Sequence, residues 1–183
     1  SFDLDRVLES SSLEDFLSVS DNFDLFRAVL QVITPSFGFD LYISSDFPLG
    51  SGLGGSSAVI AAILGCFNEF RSDKWSDYEI AELAFQAERI NMDISGGWQD
   101  QYATVFGGFN FIEFGKDNNV IHPLRLTNKT ILNLEENLVL FEVTSGRDSG
   151  LIHDSQKESM QDRQVHKKVE QNVAHTYVMR ENL

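Results

Sequence analysis

Cysteine is almost missing from this chain. The one residue present, Cys66, sits in an apolar stretch that reads as helix and closes no disulfide within the chain, which fits a reducing compartment. No apolar run approaches the roughly 20 residues needed to span a bilayer. The opening SFDLDRVLES has neither the basic nor the apolar region of a secretory leader. A cytoplasmic location is the expectation. Basic residues are scarce too, 14 Lys and Arg against 28 Asp and Glu, for a net charge of -14. That balance argues against nucleic acid and against an anionic membrane as partners, because both attract positive charge. It also means that an anionic ligand must be held by local backbone dipoles or a metal ion, not by a general positive field. Repeats and low-complexity segments are absent.

What is present is an ordinary globular balance, 42% hydrophobic and 23% charged. Fifteen Phe among 183 residues are enough for a sizeable core in one domain, or one domain and the start of another. Asp21–Ile33 has apolar residues at helical spacing and is stopped by Pro35. Phe37–Phe47 alternates as a strand does, with Phe39, Leu41 and Ile43 on one face. Ser56–Phe70 reads as a strongly apolar helix, and Ser76–Arg89 as a second one opened by a Ser-x-x-Glu capping pattern from Ser76 to Glu79. Asn91–Gln99 is irregular. Gly107–Phe114, Val120–Leu126 and Leu138–Thr144 are strand candidates, and Gly150–Glu181 is polar and helical. Strand character stops near Gly146–Gly150, which marks a boundary. The class is α+β, since strands and helices do not alternate regularly.

The most informative stretch runs Pro48-Leu49-Gly50-Ser51-Gly52-Leu53-Gly54-Gly55-Ser56-Ser57-Ala58, between the predicted strand and the apolar helix. Glycines permit positive φ and let a ligand approach the backbone closely. The free N–H groups opening the next helix point at an anion, with the helix dipole adding to the attraction. A plain surface turn is the bland reading, and four glycines before an apolar helix weigh against it. Gly50, Gly52 and Gly55 match G-x-G-x-x-G, but the dinucleotide fold needs a strand after this helix, and here another helix follows. Gly50 to Gly55 also has P-loop spacing, but Ser56 stands where that loop requires Lys.

Taken whole, Pro-x-Gly-x-Gly-Leu-Gly-x-Ser-Ser resembles the phosphate loop of the GHMP kinases, the superfamily of galactokinase, homoserine kinase and mevalonate kinase. The resemblance implies ATP phosphates cradled by Gly50, Ser51, Gly52, Leu53, Gly54, Gly55, Ser56 and Ser57 without a Walker lysine. In that family a Glu on the second helix holds Mg²⁺, which points to Glu88. An Asp further on faces the substrate hydroxyl, which points to Asp100, twelve positions after Glu88. Read on their own, Glu88 is a solvated helix residue paired with Arg89 or another neighbour, and Asp100 is the N-cap of a short helix through Tyr102–Phe106. The capping and functional readings of Asp100 are compatible.

Gly97-x-Gln99-Asp100-Gln101-Tyr102-Ala103 followed by Phe106-Gly107-Gly108-Phe109-Asn110 looks most like the branch of D-glycero-D-manno-heptose 7-phosphate kinases and fucokinase-like enzymes. Val143-Thr144-Ser145-Gly146-Arg147-Asp148-Ser149 resembles a later stretch of that branch, making Arg147 a candidate anion contact. Gly97, Trp98 and Gln99 become candidates for lining the substrate pocket, although core packing is the commoner fate of a Trp. One departure concerns the metal: Gly55 stands where the family usually has Ser or Thr, so Ser56 is expected to take over, with Ser57 the weaker substitute.

The resemblance implies a half like the second domain of ribosomal protein S5 over residues 1–146 and the start of a ferredoxin-like half over 147–183. The family's first strands and its C-terminal glycine motif have no counterpart, so the chain is expected to be incomplete. The implied reaction is transfer of the ATP γ-phosphoryl group to a hydroxyl of a sugar or sugar phosphate, with the heptose 7-phosphate first in line. Fucose, galactose, homoserine or mevalonate as acceptor, and a non-catalytic nucleotide-binding module, remain as alternatives. Homodimerisation is left open.

Overall fold

The computed structural model describes residues 7–19, 23–45, 52–141, 155 and 158–183. The contacts divide the chain into two units, Ser1–Phe106 and Gly107–Leu183. The expected boundary at 146/147 lies outside the described residues.

The first unit is helical. α1 spans Leu13–Ser18, with Ser12 capping it by accepting from the Asp15 N–H. α2 covers Asp24–Ile33, ending where Thr34 takes a left-handed conformation (φ 45°) just before Pro35. α3 covers Gly55–Glu69. α4 covers Asp77–Phe85 and opens on the full capping box, with the Ser76 hydroxyl accepting from the Glu79 N–H and the Glu79 carboxylate accepting in return from the Ser76 backbone. α4 runs directly into a π-helical turn at Gln86–Asn91. After an irregular connection comes α5, Gln99–Phe106.

These helices share one core. Val29 of α2, Ile60 and Leu64 of α3, and Ala84 and Ala87 around the end of α4 are fully excluded from water. Each fully buried Ile or Leu contributes about 1.5–3 kcal/mol by leaving water. The alanines at 81, 84 and 87 let α4 and the turn after it lie close to α3.

The stretch 37–45 departs from its strand reading. Leu41 and Ile43 are half-buried against the core with Tyr42 exposed between them, so the alternation holds. Phe39 meets Phe67 edge-on at 4.9 Å. What is missing is a ladder: among the described residues no strand pairs with this segment. Period-two burial is a local property, whereas a strand needs the backbone groups of a neighbour.

In the second unit β1 (Asn110–Phe114) and β2 (Asn119–Pro123) form an antiparallel hairpin with Ile112 opposite Ile121. The turn requires Gly115, where an added Cβ would lie 2.5 Å from the Asn118 carbonyl oxygen. α6 follows at Asn128–Asn137, and α7 at Arg163–Asn182. The Tyr177 hydroxyl donates to Glu113 Oε1 at 3.0 Å, and the Arg180 guanidinium lies 4.5 Å over the Phe111 ring. Residues 138–141 of the expected late strand have no ladder partner among the described residues, and 142–144 lie outside them. The described fold is therefore mixed, mainly helix with one small sheet.

Candidate functional site

The mouth of α3 organises the site. Gly54 precedes the helix in a left-handed conformation (φ 74°, ψ 21°) that Gly adopts without strain, and Gly52 has φ 73°. Gly54 has no side chain to cap α3, and among the described residues no capping oxygen takes up the amides of its first turn. Ser56 is exposed at this mouth and Ser57 is fully buried behind it.

Both hydroxyls turn to the same carboxylate. Ser56 donates to Glu88 Oε1, and Ser57 donates to Glu88 Oε2 at 2.6 Å. Gln101 Nε2 donates to that same Oε2 at 2.6 Å. The solvated reading of Glu88 is thereby overturned, because its side chain is only 4% exposed. The cause is local. Within the π-helical turn Ala87, Glu88 and Arg89 are all buried, three in succession, which the narrower arc of a regular helix does not favour. Such turns are frequent at functional sites.

Asp100 meets the site from α5. It lies in the first turn and is not the N-cap, since the helix begins at Gln99 and the Tyr102 N–H bonds back to the Trp98 carbonyl. An acidic residue is favoured there by the helix dipole. Its carboxylate is 38% exposed, and its Cβ lies 3.9 Å from where a side chain on Gly54 would begin. The loop glycine, Glu88 and Asp100 thus converge on one end of α3. Arg89 runs between the two acids, with Nη2 3.4 Å from Asp100 Oδ2 and Nη1 4.0 Å from Glu88 Oε1.

The remaining sequence candidates are placed less centrally. Leu53 and Gln99 are exposed, and Gly97 is half-buried in the loop before α5. Trp98 stacks on Phe85 at 4.4 Å, its indole N–H directed at Glu82 Oε2 over 3.4 Å. Gly50, Ser51 and Arg147 lie outside the described residues. Two residues with no assigned part turn out to be central, Arg89 and Gln101. Gln101 is fully buried, and its carbonyl oxygen has no hydrogen-bond partner among the described residues. A signal for Glu88 was present in the sequence: it lies four and eight positions after Ala84 and Ile80, on the apolar face of the helix.

Residues 23–108 match the model of the GHMP kinases N terminal domain. The chain carries a GHMP kinase N-terminal domain. Among curated relatives of this family is the D-glycero-alpha-D-manno-heptose 7-phosphate kinase of Campylobacter jejuni, 38% identical over 155 residues, covering 81% of this chain and 46% of that protein. The L-fucokinase/L-fucose-1-P guanylyltransferase of Bacteroides fragilis is 28% identical over 129 residues, covering 60% of this chain and 14% of its own length. The crystal structure of a D-glycero-D-manno-heptose 1-phosphate kinase from Bacteroides thetaiotaomicron aligns with a TM-score of 0.53 at 34% identity, over 65% of this chain and 42% of that one. The chain thus spans less than half the length of these kinases.

The oxygen-only donor set fits Mg²⁺, the metal that the family resemblance implies. Mg²⁺ is a hard ion, held by one or two carboxylates together with substrate phosphates and water. Glu88 and the exposed Ser56 hydroxyl would hold it, with Ser57 and Gln101 orienting the carboxylate from behind. No described helix is long and apolar enough to cross a membrane.

Proposed function

We propose that this chain provides the nucleotide- and metal-holding half of an ATP-dependent sugar kinase acting in the cytoplasm. The observation that carries the reading is the hydrogen bonding of Ser56 and Ser57, at the mouth of α3, to buried Glu88, with Asp100 beside Gly54. Phosphoryl transfer asks for a phosphate cradle, a carboxylate for the metal and a group that orients the attacking hydroxyl. The amides around Gly54–Ser57 donate to the β- and γ-phosphates, with Gly50–Leu53 completing the loop. When bound, Mg²⁺ neutralises charge that builds on the transferring group.

Asp100 orients the acceptor hydroxyl and takes its proton as that oxygen bonds to the γ-phosphorus and the bond to the departing ADP oxygen breaks. Its exposure suits a group that must meet a substrate, and the burial of Glu88 suits a group that must stay put. The acceptor is a sugar phosphate, first D-glycero-D-manno-heptose 7-phosphate. Support comes from the 38% identity to a kinase of that name and from the Gly97–Tyr102 segment, with Gly97, Trp98, Gln99 and Arg147 as further substrate contacts. The fold reading that goes with it is an S5-domain-2-like half, followed by the start of a ferredoxin-like half.

ATP titration with and without Mg²⁺, followed by ADP-release assays against heptose 7-phosphate, fucose and galactose, tests the proposal. Binding strengthened by the metal and turnover with the heptose phosphate are expected. Asp100→Asn is expected to keep nucleotide affinity and lower turnover by about two to four orders of magnitude, the range for loss of a general base. Unchanged turnover in that variant would remove Asp100 from the reaction.

A further inference from the structure

The carboxylate proposed to orient the acceptor hydroxyl is itself held. Arg89 is buried, its side chain only 5% exposed, and its guanidinium reaches both acids of the site. Its Nε has no hydrogen-bond partner among the described residues, so its burial is not explained by a fully satisfied network. A buried cation with incomplete hydrogen bonding is costly unless opposite charge stands close by. The loop entering α5 is shaped around it: a Cβ on Gly96 would fall 2.6 Å from the guanidinium carbon and 2.8 Å from Nε. Only glycine at 96 leaves the space in which the guanidinium lies. The same loop then delivers Asp100 four residues later.

We infer that Arg89 is a positioning residue that fixes the Asp100 carboxylate relative to Glu88, with Gly96 providing its seat. The inference rests on the kinase reading of the site. Two carboxylates beside a polyphosphate repel one another and the ligand, and a buried guanidinium between them offsets that repulsion without meeting substrate. Because Arg89 donates to Asp100 and its guanidinium stands 4.0 Å from Glu88, a shift of that group moves the acceptor side relative to the metal side. A displacement of about 1 Å at such a point is enough to cost on the order of a hundredfold in rate.

The test compares Arg89→Lys, Gly96→Ala, Asp100→Asn and the Arg89→Lys/Asp100→Asn double variant in the full chain. For each, kcat, the KM for heptose 7-phosphate and the ATP Kd in Mg²⁺ are measured. Arg89→Lys keeps the buried charge, so it guards against simple unfolding, and retained ATP binding reports the fold directly. Expected are a tenfold to hundredfold fall in kcat for Arg89→Lys and for Gly96→Ala, ATP Kd within about threefold of the parent, and a double variant no slower than Asp100→Asn alone. Non-additivity of that kind marks groups acting as one unit. If kcat is unchanged in Arg89→Lys, or if its effect multiplies with that of Asp100→Asn, Arg89 does not act through Asp100 and the inference fails while the kinase reading stands. Full turnover in Asp100→Asn alone removes Asp100 from the reaction and the inference with it, whereas a parent protein that releases no ADP with any of the sugars overturns the kinase reading itself.

Discussion

Ser57 and Glu88 stand 31 residues apart in sequence and are joined by a buried hydrogen bond of 2.6 Å, from the hydroxyl to Oε2. The bond ties the first turn of α3 to the π-helical turn that follows α4. Ser57→Ala removes a donor and leaves a buried carboxylate oxygen with Gln101 alone. A loss of about 1–3 kcal/mol is expected, the cost of an under-satisfied buried acceptor. Chemical denaturation of the variant beside the parent measures it.

Glu88→Gln keeps the shape but removes the charge that would hold a divalent cation. Nucleotide affinity in the parent should rise on adding Mg²⁺. In the variant, titrations with Mg²⁺ and with EDTA should converge. A variant that responds to Mg²⁺ as fully as the parent would show that the ion is held elsewhere.

Gly54→Ala places a Cβ on a residue with φ 74°, in ordinary contact with Asp100 at 3.9 Å. Space is available there; the backbone conformation is what resists. A non-glycine residue in the left-handed region costs about 1–2 kcal/mol. Stability should fall by that amount and ATP binding should weaken, while Gly54→Asn, which visits this region more readily, should lose less. Calorimetric titration and thermal melts of the pair separate strain from loss of contact.

The α4 capping box makes stability depend on pH. Hydrogen bonds from the Ser76 backbone N–H and then the Ser76 hydroxyl hold the Glu79 carboxyl below its ordinary value of 4.5. A carboxyl depressed in the folded state binds its proton more weakly there than in the unfolded chain. Its contribution is therefore complete above 4.5 and fades as pH falls through the lower folded value. Melting curves of the parent and Glu79→Gln should differ most near neutrality and draw together below pH 4.5. A gap that persists at acid pH would mean that the two ends of the box are held by something other than charge.

Much of this molecule follows from short-range chemistry. Ser76 and Glu79 announce the start of α4, and Pro35 confines α2. The glycine run before Ser56 predicts a helix mouth without a capping side chain, and the carboxylates that the proposed phosphoryl transfer would use stand at Glu88 and Asp100. All of these depend on neighbours within one or two turns, so the linear order contains them. Tertiary structure decided which of them meet. The Leu41 and Ile43 alternation does not become a strand among the described residues, because pairing depends on a distant backbone. The π-helical turn draws Arg89 inward beside Glu88, a position that spacing counted at 3.6 residues per turn does not contain for Arg89. Gln101 becomes a support for Glu88, and Arg89 a bridge to Asp100, through contacts spanning 13 and 11 residues. Such contacts arise from how helices pack, and packing is settled by the burial of the whole core at once, not by any segment alone.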